Sequence, residues 1–377
     1  MREGTRRRSN GQPRNGARRP RGIVFMAPGF PASERDSTCL PAIQNYVAGL
    51  GAMRPDLDVH VIAFQYPYAR RQYRWNGVTV HALGGANRPG VRRVPTWALA
   101  TYRFTGLRRR LDIAALHTFW LTDTTMVGQR LGRTFRVRHV ASIGGQDALA
   151  SNPYLRRIDL DGLVVTAGSQ FAASAFSGEG AGARRGQQAG RPEVHVIPLG
   201  LDTEHLVTIA PPERRDIDII GVGSLIPLKR FEAFLDVIAA VRREFPRLRA
   251  CIVGDGPERD TLAARIAHDG LEDAVELTGE LPRDNAFRRM LRARVLLHCS
   301  RYESQGYVFL EALTAGLEVV CHDVGHTGDS DRVHRGATTE DLAGHCARLL
   351  RDPRPPEPQP VPTVADTVRA FEALYGV

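Results

Sequence analysis

The chain contains 377 residues with a formal net charge of +10, and this length is sufficient for two domains that each bury a core. No apolar run approaches the roughly 20 residues that cross a bilayer, so we expect no membrane-spanning segment. The five cysteines form no C-x-x-C pair, which argues against a zinc or redox motif and for buried, reduced thiols in a cytoplasmic protein.

The positive charge is concentrated at one end of the chain. Residues 1–21 hold eight arginines and one acid, a balance of +7, and this leaves about +3 for the other 356 residues. So small an excess excludes a dedicated nucleic-acid-binding surface, and we expect no specific nucleic-acid partner. The segment 1–21 lacks the apolar stretch of a secretory signal. We interpret it as a disordered arginine-rich tail, with contact to an anionic membrane as the alternative to no role.

Strands and helices alternate through the first half of the chain. We predict strands at 23–26, 59–64, 78–83, 113–116, 137–142, 163–166 and 194–197, and helices at 40–50, 95–109, 123–132 and from Ser169 onward. An arginine-rich loop (Arg70, Arg71, Arg74) is predicted between the second and third strands. Such alternation is typical of a mostly parallel, doubly wound sheet, so residues 22–203 are predicted to form a first Rossmann-like domain.

A second series follows a glycine-rich loop at 177–192 and a hinge near 203–215. Predicted strands and helices of this half cover 217–222, 230–244, 249–253, 257–268, 274–278, 284–291, 295–298, 318–321 and 340–351. They assign residues 212–352 to a second doubly wound domain. A proline-rich connector, 353–363, then leads to a predicted helix at 364–375.

Two glutamates bracket the turn that follows the predicted strand 295–298. Glu303 lies in the turn, Gly306 opens an apolar segment with helical spacing, and Glu311 lies about a turn and a half into that helix. Helical side chains lean toward the N-terminus, so Glu311 points back toward Glu303. Free amides at a helix N-terminus bind anions. A ligand that is anionic in the middle and hydroxylated at both ends, such as a nucleotide sugar, fits this pattern; two solvated glutamates on an ordinary amphipathic helix are the alternative.

This segment resembles the E-x7-E signature of the family-4 retaining glycosyltransferases, which have the GT-B fold. The resemblance implies two Rossmann-like, doubly wound domains that face each other across a cleft, with the helix at 364–375 returning to the first domain. Glu303, Gly306, Leu310, Glu311 and Gly316 match the usual pattern E-P-F-G-x-x-x-L-E-A-x-A-x-G. The sequence departs from it at residues 304–305, where Ser-Gln replaces the commoner Pro-Phe. The resemblance is strong over 217–322 and weak over 22–200.

Lys229 is the only lysine among 51 basic residues. Since the bias toward arginine is so strong, a retained lysine indicates a site that requires a compact ammonium; a lysine that survives by chance on the surface is the alternative. It follows the predicted strand 217–222, in Gly221-Val-Gly-Ser-Leu-Ile-Pro-Leu-Lys229-Arg230, which resembles the family's G-R-L-x-x-x-K-G with Ser224 in place of the arginine. Ile226 breaks a dinucleotide G-x-G-x-x-G fingerprint, and Leu228 breaks a Walker loop.

The resemblance implies roles for further residues. It assigns catalysis to Lys229, Glu303 and His117, the last in a stretch similar to the family's H-x-H and expected at the cleft. It assigns donor binding to eight residues: Gly29, Ser224, Arg230, Leu281, Gly306, Tyr307, Val308 and Glu311. A satisfied structural histidine is the alternative for His117. The segment 198–202, with Leu199 where the family has asparagine, is interpreted as structural.

Two D-x-D pairs, Asp216-x-Asp218 and Asp329-x-Asp331, could be mistaken for the metal site of other glycosyltransferases. The first runs into a buried strand and the second lies in a polar loop, and neither has further ligands near it in sequence. We therefore expect no metal and no cofactor other than the nucleotide-sugar donor.

The sequence and the resemblance together predict a metal-independent hexosyltransferase that acts with retention of configuration. Its partners would be a nucleotide-sugar donor and a glycan, glycolipid or small-molecule acceptor, and it would be cytoplasmic or peripheral at the inner membrane face. Two other functions stay open: a sugar-nucleotide epimerase or hydrolase of the same fold, and a non-catalytic binding protein. The identity of the sugar, nucleotide and acceptor does not follow from the residues.

Overall fold

The computed structural model describes residues 19–178, 192–326, 328 and 330–377. The chain forms two α/β domains and crosses between them twice, near residues 203–215 and again along 353–363. Most of the arginine-rich tail and of the glycine-rich loop 177–192 lie outside the described residues. Within the described ranges, no helix combines the length and the apolar character needed to cross a membrane.

The first domain is built on an eight-stranded sheet. Its strands are β1 Arg21–Gly29, β2 Asp58–Tyr66, β3 Arg71–Trp75, β4 Val78–Ala82, β5 Asp112–Phe119, β6 Arg138–Ile143, β7 Val164–Ala167 and β8 Val194–Val196. They lie in the order β3-β4-β2-β1-β5-β6-β7-β8, and all neighbours are parallel except β3 and β4. The predicted arginine-rich loop is therefore wrong in part, because Arg71 and Arg74 belong to an edge strand in which three of the five residues are exposed, so that no alternation of apolar and polar residues marks it as a strand.

Four helices cover this sheet within the first half of the chain: α1 Pro41–Met53, α2 Val94–Arg110, α3 Asp123–Phe135 and α4 Gln170–Ser177. The central strand β1 is buried along nearly its whole length, because helices lie on both faces of a parallel sheet. The predicted helices and the observed ones agree within a few residues at each end.

The second domain has a six-stranded sheet that is parallel throughout. Its strands are β9 Ile217–Val222, β10 Ala250–Val253, β11 Val275–Gly279, β12 Ala293–His298, β13 Glu318–Cys321 and β14 Val333–Arg335, in the order β11-β10-β9-β12-β13-β14. Its helices are α5 Thr203–Val207, α6 Phe231–Arg242, α7 Arg259–His268, α8 Arg283–Leu291, α9 Tyr307–Thr314 and α10 Thr339–Arg351. Helix α5 and strand β14 were not predicted, because α5 falls in the segment 203–215 that was interpreted as a hinge and the three residues of β14 lack an apolar run.

The last helix, α11 Val364–Tyr375, packs on the first domain and not on the second. Val368, Phe371 and Tyr375 are buried in the same core cluster as Tyr46 of α1. The hydroxyls of Tyr46 and Tyr375 lie 2.5 Å apart. The C-terminal segment is therefore part of the first domain's core, and the connector 353–363 is the second crossing between domains.

Candidate functional site

The carboxyl ends of strands from both sheets border one cavity of about 320 Å³. The first domain contributes the residues that follow β5, β6, β7 and β8. The second domain contributes residues 228–229 after β9 and residues 302–307 after β12. The predicted doubly wound architecture is thus confirmed, and this cavity occupies the cleft in which parallel sheets bind their ligands.

Lys229 and Glu303 meet in this cavity from two separate loops. Lys229 Nζ donates a hydrogen bond to Glu303 Oε1, and Nε2 of His298 lies 2.8 Å from the same oxygen. Burial lowers the pKa of His298, so the neutral ring donates its Nε2–H to the carboxylate. Burial alone raises the pKa of Glu303, but His298 and the Lys229 ammonium outweigh it and lower that pKa to about 2. The site therefore holds an ammonium beside an ionised carboxylate.

The N-terminus of α9 borders the same cavity through Gly306 and Tyr307. Gly306 has φ 73°, and a Cβ at this position would lie 2.4 Å from the ring of Phe309, so only glycine fits here. The first amides of a helix have no acceptor within it and carry partial positive charge. Lys229 and these amides supply positive potential from two directions.

Glu311 is held by an arginine that the sequence did not single out. Arg283 Nε donates to Glu311 Oε1 over 3.1 Å, and Arg283 Nη1 donates to Asn45 Oδ1 of α1 over 2.9 Å. Burial lowers the pKa of Arg283, and the charge of Glu311 more than offsets this. Arg283 Nη2 is buried and has no hydrogen-bond partner among the described residues. A buried donor without an acceptor is uncommon, and this one points to a ligand oxygen beside Glu311.

Lys229 and Glu311 do not line the same cavity. The cleft cavity includes Lys229, Glu303 and Tyr307, whereas Glu311 lies one turn further along α9 beside Arg283. Tyr307 connects the two places: its hydroxyl donates to Gly200 O and accepts from Asn45 Nδ2, at 2.9 and 2.7 Å. The two glutamates were expected to face one volume, but Glu303 lines the cavity whereas Glu311 forms a buried pair with Arg283 beside it.

Residues 302–305 join the two domains through their own backbone and side chains. The carboxamide of Gln305 accepts from Leu199 N at 2.9 Å and donates to Leu199 O at 2.7 Å. The hydroxyl of Tyr302 donates to Gly145 O at 2.7 Å, and that of Ser169 donates to Ser304 O. Gln305, one of the two residues that replace Pro-Phe, and Leu199, which replaces the family's asparagine, thus contact each other between the domains.

Gln305→Ala is expected to lower the free energy of unfolding by about 2–3 kcal/mol, because it leaves the amide and carbonyl of Leu199 without partners in a part-buried contact. Urea denaturation measures this. Gln170→Ala is a matched control, since Gln170 is exposed and makes a single 3.4 Å bond. Small-angle X-ray scattering should show a larger radius of gyration only for the Gln305 variant; equal values for both variants would show that the carboxamide does not hold the cleft.

His117 is not at the cleft, so this prediction is wrong. The residue is fully buried, its Nδ1 lies 2.6 Å from Tyr375 Oη and its Nε2 lies 2.7 Å from Ser142 Oγ. Phe25, Phe119 and Phe371 surround the ring. Strand β5 extends past His117 to Phe119, which places the histidine two residues inside the sheet. It is a satisfied core residue and does not contact the cavity.

Buried neutral histidines should make the fold sensitive to mild acid. Burial lowers the pKa of His117 well below its usual value, that of His81 to about 4 and that of His139 to about 3. The unfolded chain takes up protons on these rings below about pH 6.5, whereas the folded chain does not, so stability falls as the pH drops. We expect the free energy of unfolding, measured with urea, to be at least about 2 kcal/mol lower at pH 5.5 than at pH 7.5. Equal stability at the two pH values would contradict this.

Besides Glu311, five predicted donor-binding residues do not line the cavity. Gly29 is buried where a Cβ would contact Tyr66. The remaining four are Ser224, which is exposed; Arg230, which lies 3.6 Å from Glu232; and Leu281 and Val308, which pack partly buried against the second domain's core. Their assignment to the donor stays a prediction.

The aspartates of the D-x-D pairs that the structure describes form ion pairs with arginines. Asp216 receives two hydrogen bonds from Arg292, and Asp218 lies 3.5 Å from Arg294. Asp331 pairs with Arg354 at 2.7 Å, and Asp329 lies outside the described residues. These contacts give the described aspartates a role in ion pairing at the surface.

Three contributors to the site were missed: His298, Arg283 and Asn45. His298 ends a predicted strand five residues before Glu303, and this spacing at a strand end could have suggested it. Arg283 and Asn45 carry no signal in the sequence, because Arg283 reaches Glu311 from a neighbouring helix of the second domain and Asn45 reaches Arg283 from the first domain.

Comparison with known proteins gives two separate findings, one on the sequence of the second domain and one on the fold of almost the whole chain. Residues 208–353 match the family model described as "Glycosyl transferases group 1". The "Phosphatidylinositol N-acetylglucosaminyltransferase gpi3 subunit" of Schizosaccharomyces pombe is 31% identical over 159 residues, which are 42% of this chain and 32% of that protein.

Two solved structures are similar over almost the whole chain. Sucrose-phosphate synthase from Thermosynechococcus elongatus has a TM-score of 0.65 at 15% identity, over 94% of this chain and 95% of that one. Anabaena Alr3699/HepE in complex with UDP-glucose has a TM-score of 0.62 at 19% identity, over the same shares. The chain therefore has the two-domain GT-B fold of glycosyltransferases, and residues 208–353 match the glycosyl transferases group 1.

Proposed function

We propose that the protein is a retaining glycosyltransferase, which transfers a hexosyl unit from a nucleoside-diphosphate sugar to a hydroxyl acceptor. The observation that carries this proposal is the meeting of Lys229 and Glu303 in the interdomain cleft, beside the N-terminus of α9. The match of residues 208–353 to the glycosyl transferases group 1 supports it.

In this reaction the bond between the anomeric carbon and the diphosphate oxygen breaks, and its electron pair stays on the diphosphate. Lys229 and the first amides of α9 stabilise that developing charge. The acceptor oxygen bonds to the anomeric carbon on the face that the diphosphate leaves, which retains the configuration. The acceptor's proton passes to the departing phosphate oxygen, so no side chain is needed as a nucleophile.

Glu303 accepts hydrogen bonds from the hydroxyls of the transferred sugar. Its pKa of about 2 keeps it an acceptor throughout the physiological range. His298 is a positioning residue, because its buried ring holds the Glu303 carboxylate through a 2.8 Å contact to Oε1. Glu311 accepts from the ribose hydroxyls, and the unpartnered Nη2 of Arg283 donates to an oxygen of the same nucleotide.

The proposed reaction is independent of divalent ions, because the ammonium of Lys229 and the amides of α9 provide the positive charge that a metal would otherwise supply. Activity should accordingly be unchanged in EDTA.

A membrane-borne or phosphorylated acceptor fits the surface of the first domain. Residues 70–110 contain ten arginines and no acidic residue. Tyr68, Val91 and Tyr102, in and beside this segment, are 65%, 85% and 70% exposed. The fission yeast relative's name includes phosphatidylinositol. We propose that the enzyme works at the inner face of a membrane, in glycolipid or cell-envelope glycan synthesis.

Neutralising Arg70, Arg71 and Arg74 together should weaken binding to vesicles that contain anionic lipid by at least about tenfold, since each basic residue near the surface contributes about 1 kcal/mol. Co-sedimentation with vesicles measures this. Neutral vesicles serve as the control, and binding that is as tight as that of the unmodified protein would contradict the proposal.

The proposed function is tested with a panel of UDP- and GDP-linked sugars, first by thermal shift and then by release of nucleoside diphosphate. We expect one donor to stabilise the protein, release of its nucleoside diphosphate to depend on an added acceptor, and the product to keep the donor's anomeric configuration by NMR. Turnover without any acceptor would instead identify an epimerase or hydrolase. Binding without turnover, and unchanged by Lys229→Ala, would identify a non-catalytic protein.

A further inference from the structure

A second cavity, of about 610 Å³, lies at the opposite edge of the second domain. Its walls come from residues 206–215 and 353–358, which belong to the two interdomain crossings, and from the amino ends of β12 and β13. The C-terminal end of α9, at Thr314–Gly316, forms part of the same wall. No lining residue is shared with the cleft cavity.

The lining is mostly apolar. Helix and strand residues contribute aliphatic and aromatic side chains, and the connector contributes the rings of Pro353, Pro356 and Pro358. Leu206, Ile209 and Phe287 are themselves buried in the second domain's core cluster. A volume of this size accommodates a small organic ligand with an apolar body.

The polar part of the lining is strongly positive. Five arginines and two glutamates line the cavity: Arg214, Arg215, Arg294, Arg332, Arg354, Glu213 and Glu318. Arg332 pairs with Glu318 and Glu357, and Arg354 pairs with Glu318 and Asp331. Within the described residues, Arg215 donates only to backbone carbonyls, Ala293 O and Ala315 O, each at 2.5 Å. Among the described residues no carboxylate lies within ion-pair distance of Arg214 or Arg215, so this rim carries uncompensated charge.

Two further observations indicate an absent anionic or hydrogen-bonding group. Burial, together with the charges of Arg332 and Arg294, lowers the pKa of Arg215 to about 10, which an anion bound nearby would reverse. The hydroxyl of Thr314 is buried and has no hydrogen-bond partner within the part of the chain that the structure describes. Both groups line this cavity.

We infer that this cavity is a binding site for a single-chain amphiphilic phosphate, whose alkyl chain lies against the proline-lined wall and whose anionic head contacts the Arg214–Arg215 rim. The apolar lining and the uncompensated arginines together select that chemistry over an inorganic anion or a neutral lipid. The inference does not depend on the proposed catalytic function, because the two cavities are separate.

Isothermal titration calorimetry of the full chain with octyl phosphate, below its micelle concentration, tests the site. We expect one molecule of octyl phosphate to bind per chain. Butyl phosphate should bind at least about tenfold more weakly, because it has four fewer methylene groups to place against the apolar wall. Octanol should bind more weakly than octyl phosphate, and octyltrimethylammonium should not bind. Inorganic phosphate binding as tightly as octyl phosphate, or equal binding of the cationic amphiphile, would overturn the inference.

Two sets of variants locate the binding. Arg214→Gln combined with Arg294→Gln should weaken octyl phosphate by about tenfold, whereas Arg247→Gln, at an exposed arginine of the same domain, should leave it unchanged. Neither arginine of the double variant is buried, so the fold should persist, as a thermal melt will verify. Lys229→Ala should bind octyl phosphate normally. If Lys229→Ala loses binding of octyl phosphate, or if the double variant binds it as tightly as the unmodified protein, the ligand lies elsewhere.

Discussion

Lys229→Ala is expected to reduce kcat/KM for sugar transfer by about 10²–10³-fold. Removing one hydrogen-bond donor that stabilises a developing oxyanion in a partly desolvated site typically lowers the rate by this factor. The side chain is only 20% exposed and already held by Glu303, so it is pre-organised before the donor binds. Release of nucleoside diphosphate under subsaturating donor measures the effect.

Lys229→Arg is the informative control, because it keeps the charge and changes only its shape. A planar guanidinium cannot occupy the position of a compact ammonium without moving Glu303, so we expect intermediate activity. Arginine is otherwise the basic residue at every position of this chain, so the exchange tests why one lysine is present. If Lys229→Arg is as active as the unmodified enzyme, charge alone matters; if Lys229→Ala is also fully active, Lys229 does not act on the diphosphate.

The largest effect on stability is expected for Glu318→Ala, which should lower the free energy of unfolding by about 3–5 kcal/mol. The carboxylate accepts hydrogen bonds from Arg332 at 2.8 Å, His334 at 2.8 Å and Arg354 at 2.9 and 2.6 Å. Its side chain is 7% exposed, so removing it takes the shared buried counter-charge from Arg332 and Arg354 and leaves them with the exposed acids Glu357 and Asp331. Since Arg354 belongs to the connector, the change should also release that segment from the second domain. Chemical denaturation measures the loss.

Glu357→Ala is the matched control. Glu357 also pairs with Arg332, at 3.2 Å, but its side chain is 73% exposed, and exposed ion pairs contribute about 1 kcal/mol or less. A loss for Glu318→Ala no larger than for Glu357→Ala would contradict the role assigned to the buried carboxylate.

The difference between the unmodified protein and Glu318→Ala should depend on pH. Burial raises the pKa of Glu318, but the hydrogen bonds from His334 and Arg354 outweigh it and the pKa is lowered from 4.5. A lowered carboxyl pKa stabilises the folded state fully above the unfolded value and progressively less as the pH falls through the folded value. The difference should therefore be constant above about pH 5 and shrink below about pH 4.5.

The sequence predicted most elements because their burial patterns are local. Strand β9, with four of six residues buried, and helix α11, whose buried face recurs every three or four residues, were both predicted with their observed limits. Strand β3 escaped because its exposed, arginine-rich face hides the period of two. His117 was misplaced for a related reason: the pattern shows that a strand is buried but does not show how many residues it continues toward the cleft.

What the sequence by itself determined is the two-domain α/β architecture, because the spacing that predicts its strands and helices is short-range; the resemblance supplied Lys229 and Glu303 as candidates for one site. Only the tertiary structure decided that Lys229 contacts Glu303 while Glu311 pairs with Arg283, and that Gln305 bridges to Leu199. These three contacts join residues 28 to 106 positions apart, and the contact of Gln305 with Leu199 also joins the two domains. Side chains so distant meet only after both sheets have folded and the two domains have docked, and no local pattern records that geometry.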